Sequence, residues 1–289
     1  MGNEKTIDKI SGDALKLRLQ KIERCFNADV VTIFGPIMDL TEKLFEKAIS
    51  TIETKSTRLV IILNTEGGSA QSAESMVRIM RRFYNEVYFL IPDYAMSAGT
   101  IFAMAGDKIY MGFNSSLGPI DPQISKIIDG QERWVPALSY INKYNALIEK
   151  SKKNDLSSAE FLLMKEQFNL AELERFQEAI DLTTDLLKKW LSTYKFKDWA
   201  KEDGTQHSKA EKEKRAVEVA KILNDQKIWH SHSRRISRDI LTDTVKLRID
   251  KLEDVANLEK SLSEYWLTFT DFIRLRNFRL FVHSKNFFL

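Results

Sequence analysis

Between positions 28 and 111 the chain alternates short apolar runs with stretches in which apolar residues recur every three or four positions. Ala28 to Phe34 is a β-branched run that predicts a first core strand, ended by Gly35-Pro36. Leu44, Ala48, Ile49 and Ile52 then fall at helical spacing. Leu59 to Leu63 is unbroken apolar sequence, as expected of a parallel strand buried on both faces. Ala73, Met76, Val77, Met80 and Phe83 form the stripe of the next helix. Val87 to Ile91 reads as a buried strand, Ser97 to Ala105 as a small-residue helix, and Lys108 to Met111 as a further strand. This alternation is the signature of an α/β fold with right-handed crossovers.

After Pro136 the pattern changes. Ala137 to about Ala200 is rich in Leu, Lys and Glu and lacks Gly and Pro, so it predicts consecutive helices. Asn154 to Ser157 is the expected break and cap, and Leu170 to Tyr194 the strongest amphipathic segment. Lys201 to Lys214 reads as a polar loop or exposed helix start, and Ala216 to Leu223 as a short helix. The division expected is a polar, partly helical leader (1–25), an α/β core (26–135) and a helical C-terminal extension (136–289). The extension would complete the core and supply subunit contacts. Tyr265 to Leu289 interleaves Phe272, Phe278 and Phe281 with Arg274, Arg276 and Arg279. Terminal aromatics usually pack on a core, which makes a docked helix and strand the first reading. A peripheral membrane or subunit contact is the second.

Composition narrows this picture little. With 43% hydrophobic and 29% charged residues, the 289-residue chain fits a globular protein. A net charge of +3 gives no reason to expect nucleic acid as a partner. The single cysteine, Cys25, cannot form an internal disulfide. With no apolar leader and no run long enough to span a bilayer, a cytoplasmic location is expected. No His/Cys/Asp/Glu spacing suggests a metal, and no internal repeat is present.

The chemistry concentrates in two strand ends. The second strand runs into Asn64-Thr65-Glu66-Gly67-Gly68-Ser69, and the third into Ala95-Met96-Ser97-Ala98-Gly99. A serine nucleophile needs an exposed hydroxyl, a base, and donors for the oxyanion. Ser97 stands just after a strand and at a helix start, where amides point outward. The amides of Gly68 and Ala98 are the candidate oxyanion donors. Gly67 and Ser69 are candidate substrate contacts, because glycine there leaves backbone open to an extended peptide. Gly-Gly after a strand is also a common turn, and Ser before Ala-Gly a common helix cap. Position 95 is Ala, so this is not the Gly-x-Ser-x-Gly elbow of α/β-hydrolases.

The Gly-Gly-Ser turn, the segment Met96-Ser97-Ala98-Gly99-Thr100 and the turn Ser116-Leu117-Gly118-Pro119-Ile120-Asp121-Pro122-Gln123 resemble the Clp/crotonase superfamily of serine peptidases. More closely, they resemble the serine dehydrogenase proteinase family, a relative of signal peptide peptidase A. Trp229 to Ser237 is similar to that family's Ser-His-Gly-Arg segment. The resemblance implies a core of repeated β-β-α units, a ring-like homo-oligomer, a peptide or protein substrate, and neither cofactor nor ATP site.

The resemblance leaves the general base open. Where the Clp proteolytic subunit has a histidine, this chain has Ile120 and Asp121. Where archaeal relatives have a lysine after a proline, it has Ala137 after Pro136. His232 is one candidate, with Asp121 to orient it, because its segment resembles the Clp region that supplies the triad acid. A lysine such as Lys126 or Lys143 is another, and a fold that has lost catalysis is the third. The function expected is ATP-independent serine endopeptidase activity through an acyl-Ser97 intermediate. The rivals are a crotonase-like thioester enzyme that uses only the oxyanion hole, and a non-catalytic oligomeric scaffold.

Overall fold

The structure, a computed structural model, describes residues 2–128 and 130–288. Met1 and Leu289, the outer ends of the predicted leader and C-terminal segment, lie outside the described residues. The chain begins with α1 (Gly2–Phe26), β1 (Asp29–Phe34), α2 (Asp39–Ser50), β2 (Arg58–Asn64), α3 (Ala70–Phe83) and β3 (Glu86–Ile91). Next come β4 (Tyr94–Ala95), α4 (Ala98–Ala103), β5 (Lys108–Met111), β6 (Ser116–Leu117), β7 (Gln123–Ile128) and β8 (Gln131–Pro136). The helices α5 (Ala137–Lys152), α6 (Ser158–Gln167) and α7 (Leu170–Trp190) follow. A π-helical turn (Leu191–Lys195), α8 (Lys209–Asn224) and α9 (Gln226–Trp229) lead to β9 (Ile236–Ser237). The chain closes with α10 (Arg238–Asp243), β10 (Asp250–Lys251), α11 (Leu258–Arg276), β11 (Phe281–Ser284) and β12 (Phe287–Phe288).

The main sheet has the order β10-β5-β3-β2-β1-β11-β12. Its first five strands run parallel, and β11 closes the β1 edge antiparallel. Successive side chains of a strand face opposite sides, so unbroken apolar strands fill two cores. Val31, Ile33, Ile61, Leu63 and Phe89 pack under α2, α3, α4, α7 and α8. Val30, Val60, Ile62, Tyr88 and Leu90 pack against α1 and α11. The N-terminal segment is therefore a core helix, with Leu15, Leu19 and Ile22 fully buried beneath Tyr265 and Phe269 of α11.

The terminal aromatics pack inward: Phe272 and Phe281 are buried in that second core, while Phe278 stays at the surface. The stretch beyond 136 also contains strands. β9 pairs antiparallel with β6, and β10 and β11 extend the main sheet on both sides. These strands are two to four residues long, too short to leave a periodic signal. The break at 154–157 is as expected, with Ser157 and Glu160 forming a capping box for α6. Among the described residues no helix is long and apolar enough to cross a membrane.

Candidate active site

The ends of β2 and β3 are joined side by side. Thr65 and Ala95 form a bridge, with Thr65 N donating to Tyr94 O (3.1 Å) and Met96 N to Thr65 O (2.9 Å). Ser97 follows at φ 50° and ψ −119°, a conformation that L-residues seldom adopt and that lifts its side chain out of the turn. The Thr100 hydroxyl holds this elbow from behind, 2.7 Å from Ala95 O, and accepts from Gly118 N at 2.9 Å. The Ser-Leu-Gly-Pro turn thereby braces the serine.

Glycine is required beside it for a steric reason. A Cβ on Gly67 would lie 2.7 Å from Ser97 Cβ, and Gly67 has φ 111°. A Cβ on Gly68 would lie 2.1 Å from Ile37 O, with φ 140°. Ile37 N donates to Gly67 O and Ser69 N to Ile37 O, both at 2.8 Å, so the turn is stitched to the β1–α2 connection. Neither the Gly68 nor the Ala98 amide has a hydrogen-bond partner among the described residues.

Ser97, Gly68, Ser69, Ala98 and His232 line one cleft of about 760 Å³. Its apolar wall includes Ile101 and Ile120, with Leu182 from α7 and Trp134 from β8. Gly67 lies beneath Ser97 rather than on the cleft surface, and Ser69 uses its side chain to cap α3, accepting from Ser72 N at 3.1 Å.

His232 enters from the loop after α9. His230, left-handed at φ 61°, ends that helix, and the Trp229 indole donates to Ile222 O (2.7 Å) to anchor the loop. His232 Nδ1 is 2.8 Å from Asp121 Oδ1, and Asp121 is fully buried behind it. Asp121 Oδ2 accepts from Gln123 Nε2 at 2.7 Å and from Gln226 Nε2 at 2.6 Å. The Ser139 hydroxyl donates to Gln226 Oε1 and fixes the orientation of that amide. With Nδ1–H donated to Asp121, Nε2 of His232 remains as the acceptor. The Ser97 hydroxyl has no hydrogen bond to His232. Such contacts are often loose before substrate arrives.

The two lysines considered from the sequence are elsewhere. Lys126 sits among Tyr140, Gln167 O (3.0 Å) and Glu172 (3.1 Å). Burial pulls its ammonium down, but Tyr140 and Glu172 outweigh it and the pKa is raised, the wrong direction for a base. Lys143 is exposed on α5 and does not line the cleft.

Sequence reasoning missed the β7–β8 hairpin, which brings Trp134 to the cleft, and the two glutamines that hold Asp121. Asp129-Gly130 between two apolar-containing runs is the sequence signal that marks the hairpin. Gln123 stands two residues from Asp121, but Gln226 carries no local signal, since it is 105 residues away.

The parallel sheet, the paired strand ends and the strained serine define a Clp/crotonase-like core. The family model of ClpP-like SDH-type serine proteinases matches residues 31–207, more than half of the chain, and the chain belongs to that family. Two proteins of Methanocaldococcus jannaschii, the uncharacterized proteins MJ0137 and MJ1495, match shorter segments. The first is 39% identical over 66 residues, 23% of this chain and 23% of the relative. The second is 34% identical over 90 residues, 31% of this chain and 28% of the relative. The matched segments thus span about a quarter of each relative's length. Among solved structures, a serine-to-alanine mutant of the 1510-N membrane-bound stomatin-specific protease is 24% identical, with a TM-score of 0.34. The match covers 43% of this chain and 63% of that one. A lysine-to-alanine mutant of the same protease with a substrate peptide is 25% identical, with a TM-score of 0.33. It covers 42% of this chain and 59% of that one.

Proposed function

We propose that this serine-protease relative hydrolyses peptide bonds through an acyl-Ser97 intermediate, with His232 as base and Asp121 as its orienting carboxylate. The observation that carries this is the His232–Asp121 pair at 2.8 Å on the wall of the cleft that also holds Ser97. Ser97 Oγ attacks the peptide carbonyl while His232 Nε2 takes its proton. The resulting oxyanion lies between the unpartnered amides of Gly68 and Ala98, each such donor being worth on the order of 3 kcal/mol in the transition state. His232 then gives its proton to the departing amine, and water, activated by the same ring, releases the acid. No step draws on ATP.

The substrate fits as an extended strand. β7 pairs only with β8 among the described residues, so its other edge is open where Gln123 and Ile124 line the cleft. A peptide pairing there and along Gly68-Ser69 would place an apolar side chain against Ile101, Ile120 and Leu182.

A fluorophosphonate probe tests the assignment. It is expected to label the protein at Ser97 and to lose labelling in Ser97→Ala and in His232→Gln. Hydrolysis of a peptide with an internal fluorescence quencher should fall at least about 10⁴-fold in Ser97→Ala. Undiminished labelling or turnover in that variant would exclude the acyl-serine route. Turnover of thioesters but not peptides would favour the crotonase-like alternative.

A further inference from the structure

A second cleft, of about 430 Å³, is lined by the end of the π-helical turn, Arg215 of α8 and Asp250 of the edge strand β10. Its floor is Lys195, the last residue of the π-helical turn. That turn is held by Phe196 N donating to Leu191 O at 2.8 Å, and such insertions frequently mark functional positions. The Lys195 side chain is only 3% exposed, and Asp250 is the one acceptor its ammonium faces among the described residues. Its charged partner is Asp250 Oδ2 at 3.7 Å, an oxygen that itself has no hydrogen-bond partner. A buried ammonium held this loosely has unused donors.

The surroundings are cationic. Lys108, Lys195, Arg215, Lys246 and Arg248 face the carboxylates of Asp107, Asp198 and Asp250. Asp107 is already taken by Arg81 at 2.9 Å and Lys197 at 2.7 Å, neither of which lines the cleft. Asp250 is shared between Lys195 and Arg248, 3.6 Å away. Arg215 is occupied by Glu218 and Val245 O, and Asp198 is exposed at the rim. Lys108 and Lys246 have no carboxylate partner among the described residues. One wall is aromatic: Phe196 and Trp199 line it, with His207 stacked on the Trp199 indole at 3.7 Å.

We infer that this cleft is a binding site for a small phosphate monoester, its dianion held by Lys195 with Lys108, Lys246 and Arg248, and its organic part against Phe196 and Trp199. An excess of cations, two of which share one carboxylate, fits a doubly charged group better than a singly charged one. The size suits a phosphate joined to one ring. Burial, opposed by Asp250 and aided by Arg248, pulls the Lys195 ammonium down to about 8, and a bound anion would relieve that cost. None of these residues lines the cleft at Ser97.

The test is calorimetric titration of the full chain with phenyl phosphate and, separately, with inorganic phosphate, at ionic strength fixed with chloride. Saturable binding of phenyl phosphate is expected, about fivefold tighter than inorganic phosphate because the ring adds aromatic contact. Lys195→Met should weaken it about tenfold or more, the value of a charge-assisted bond. If that variant does not fold, Lys246→Gln/Arg248→Gln decides, both residues being exposed. Non-saturable binding overturns the proposal. So does equal affinity for the two probes, or unchanged affinity in the folded variant used.

Discussion

The two walls of the Ser97 cleft are built by different means. On the sheet side, Ser97, Gly68 and Ala98 are placed by backbone: bridged strand ends, a serine at φ 50°, and glycines that no side chain could replace. On the helical side, His232 and Asp121 are placed by side chains. One buried carboxylate receives His232, Gln123 and Gln226 from three separate segments. The difference teaches where function can be altered without unfolding. A backbone-built wall fails as structure when it is changed. A side-chain-built wall can lose its chemistry and keep its fold.

The largest effect expected on the helical wall is in His232→Gln. Peptide turnover should drop about 10³-fold, the span a general base supplies, while Tm moves by no more than about 2 °C. Steady-state rates together with calorimetry check this. Retention of more than a tenth of the rate would remove His232 as base and break the contrast.

Gly68→Ala probes the sheet wall. Its methyl would meet Ile37 O at 2.1 Å, in a backbone conformation that L-residues avoid. A loss of roughly 3 kcal/mol in denaturant stability is expected, with activity falling alongside it. Activity lost at unchanged stability would mean that this wall, too, is tuned by side chains alone.

The same difference explains what could be read from sequence. The sheet side was legible because its information is local. Leu59–Leu63 and Val87–Ile91 are unbroken apolar runs, and Gly67-Gly68 and Ser97-Ala98-Gly99 follow the strands directly. β1, β2, β3, β5 and α2 to α4 lie within a few residues of the positions expected, whereas the two-residue β4 was not foreseen. The helical side depends on distant partners. Asp121 meets His232 across 111 positions and Gln226 across 105. The resemblance pointed to His232 as one candidate base, whereas spacing alone could not choose between it and a lysine. The leader appeared polar because α1 shows the core only one narrow stripe, Leu15, Leu19, Ile22 and Phe26.

A second histidine separates the two regions by pH. His283, on β11, is buried on the sheet side, with Nδ1 2.9 Å from the Tyr265 hydroxyl, itself 2.7 Å from Thr32 Oγ1. Burial lowers its pKa from 6.5 to about 3. The unfolded chain therefore binds a proton below about pH 6.5 that the folded chain refuses. The stability His283 contributes is complete above pH 6.5 and is lost as pH falls toward 3. Between pH 6.5 and 5.5 this amounts to about 1 kcal/mol, or about 2 °C in Tm. In His283→Gln, which cannot titrate, that part of the decline should vanish, while the pH profile of peptide hydrolysis stays as in the parent. Thermal scans across this range, paired with rate profiles, give both readouts. A shift of the rate profile in this variant would show that acid acts on the catalytic wall through the sheet. The separation of a backbone-built from a side-chain-built region would then fail.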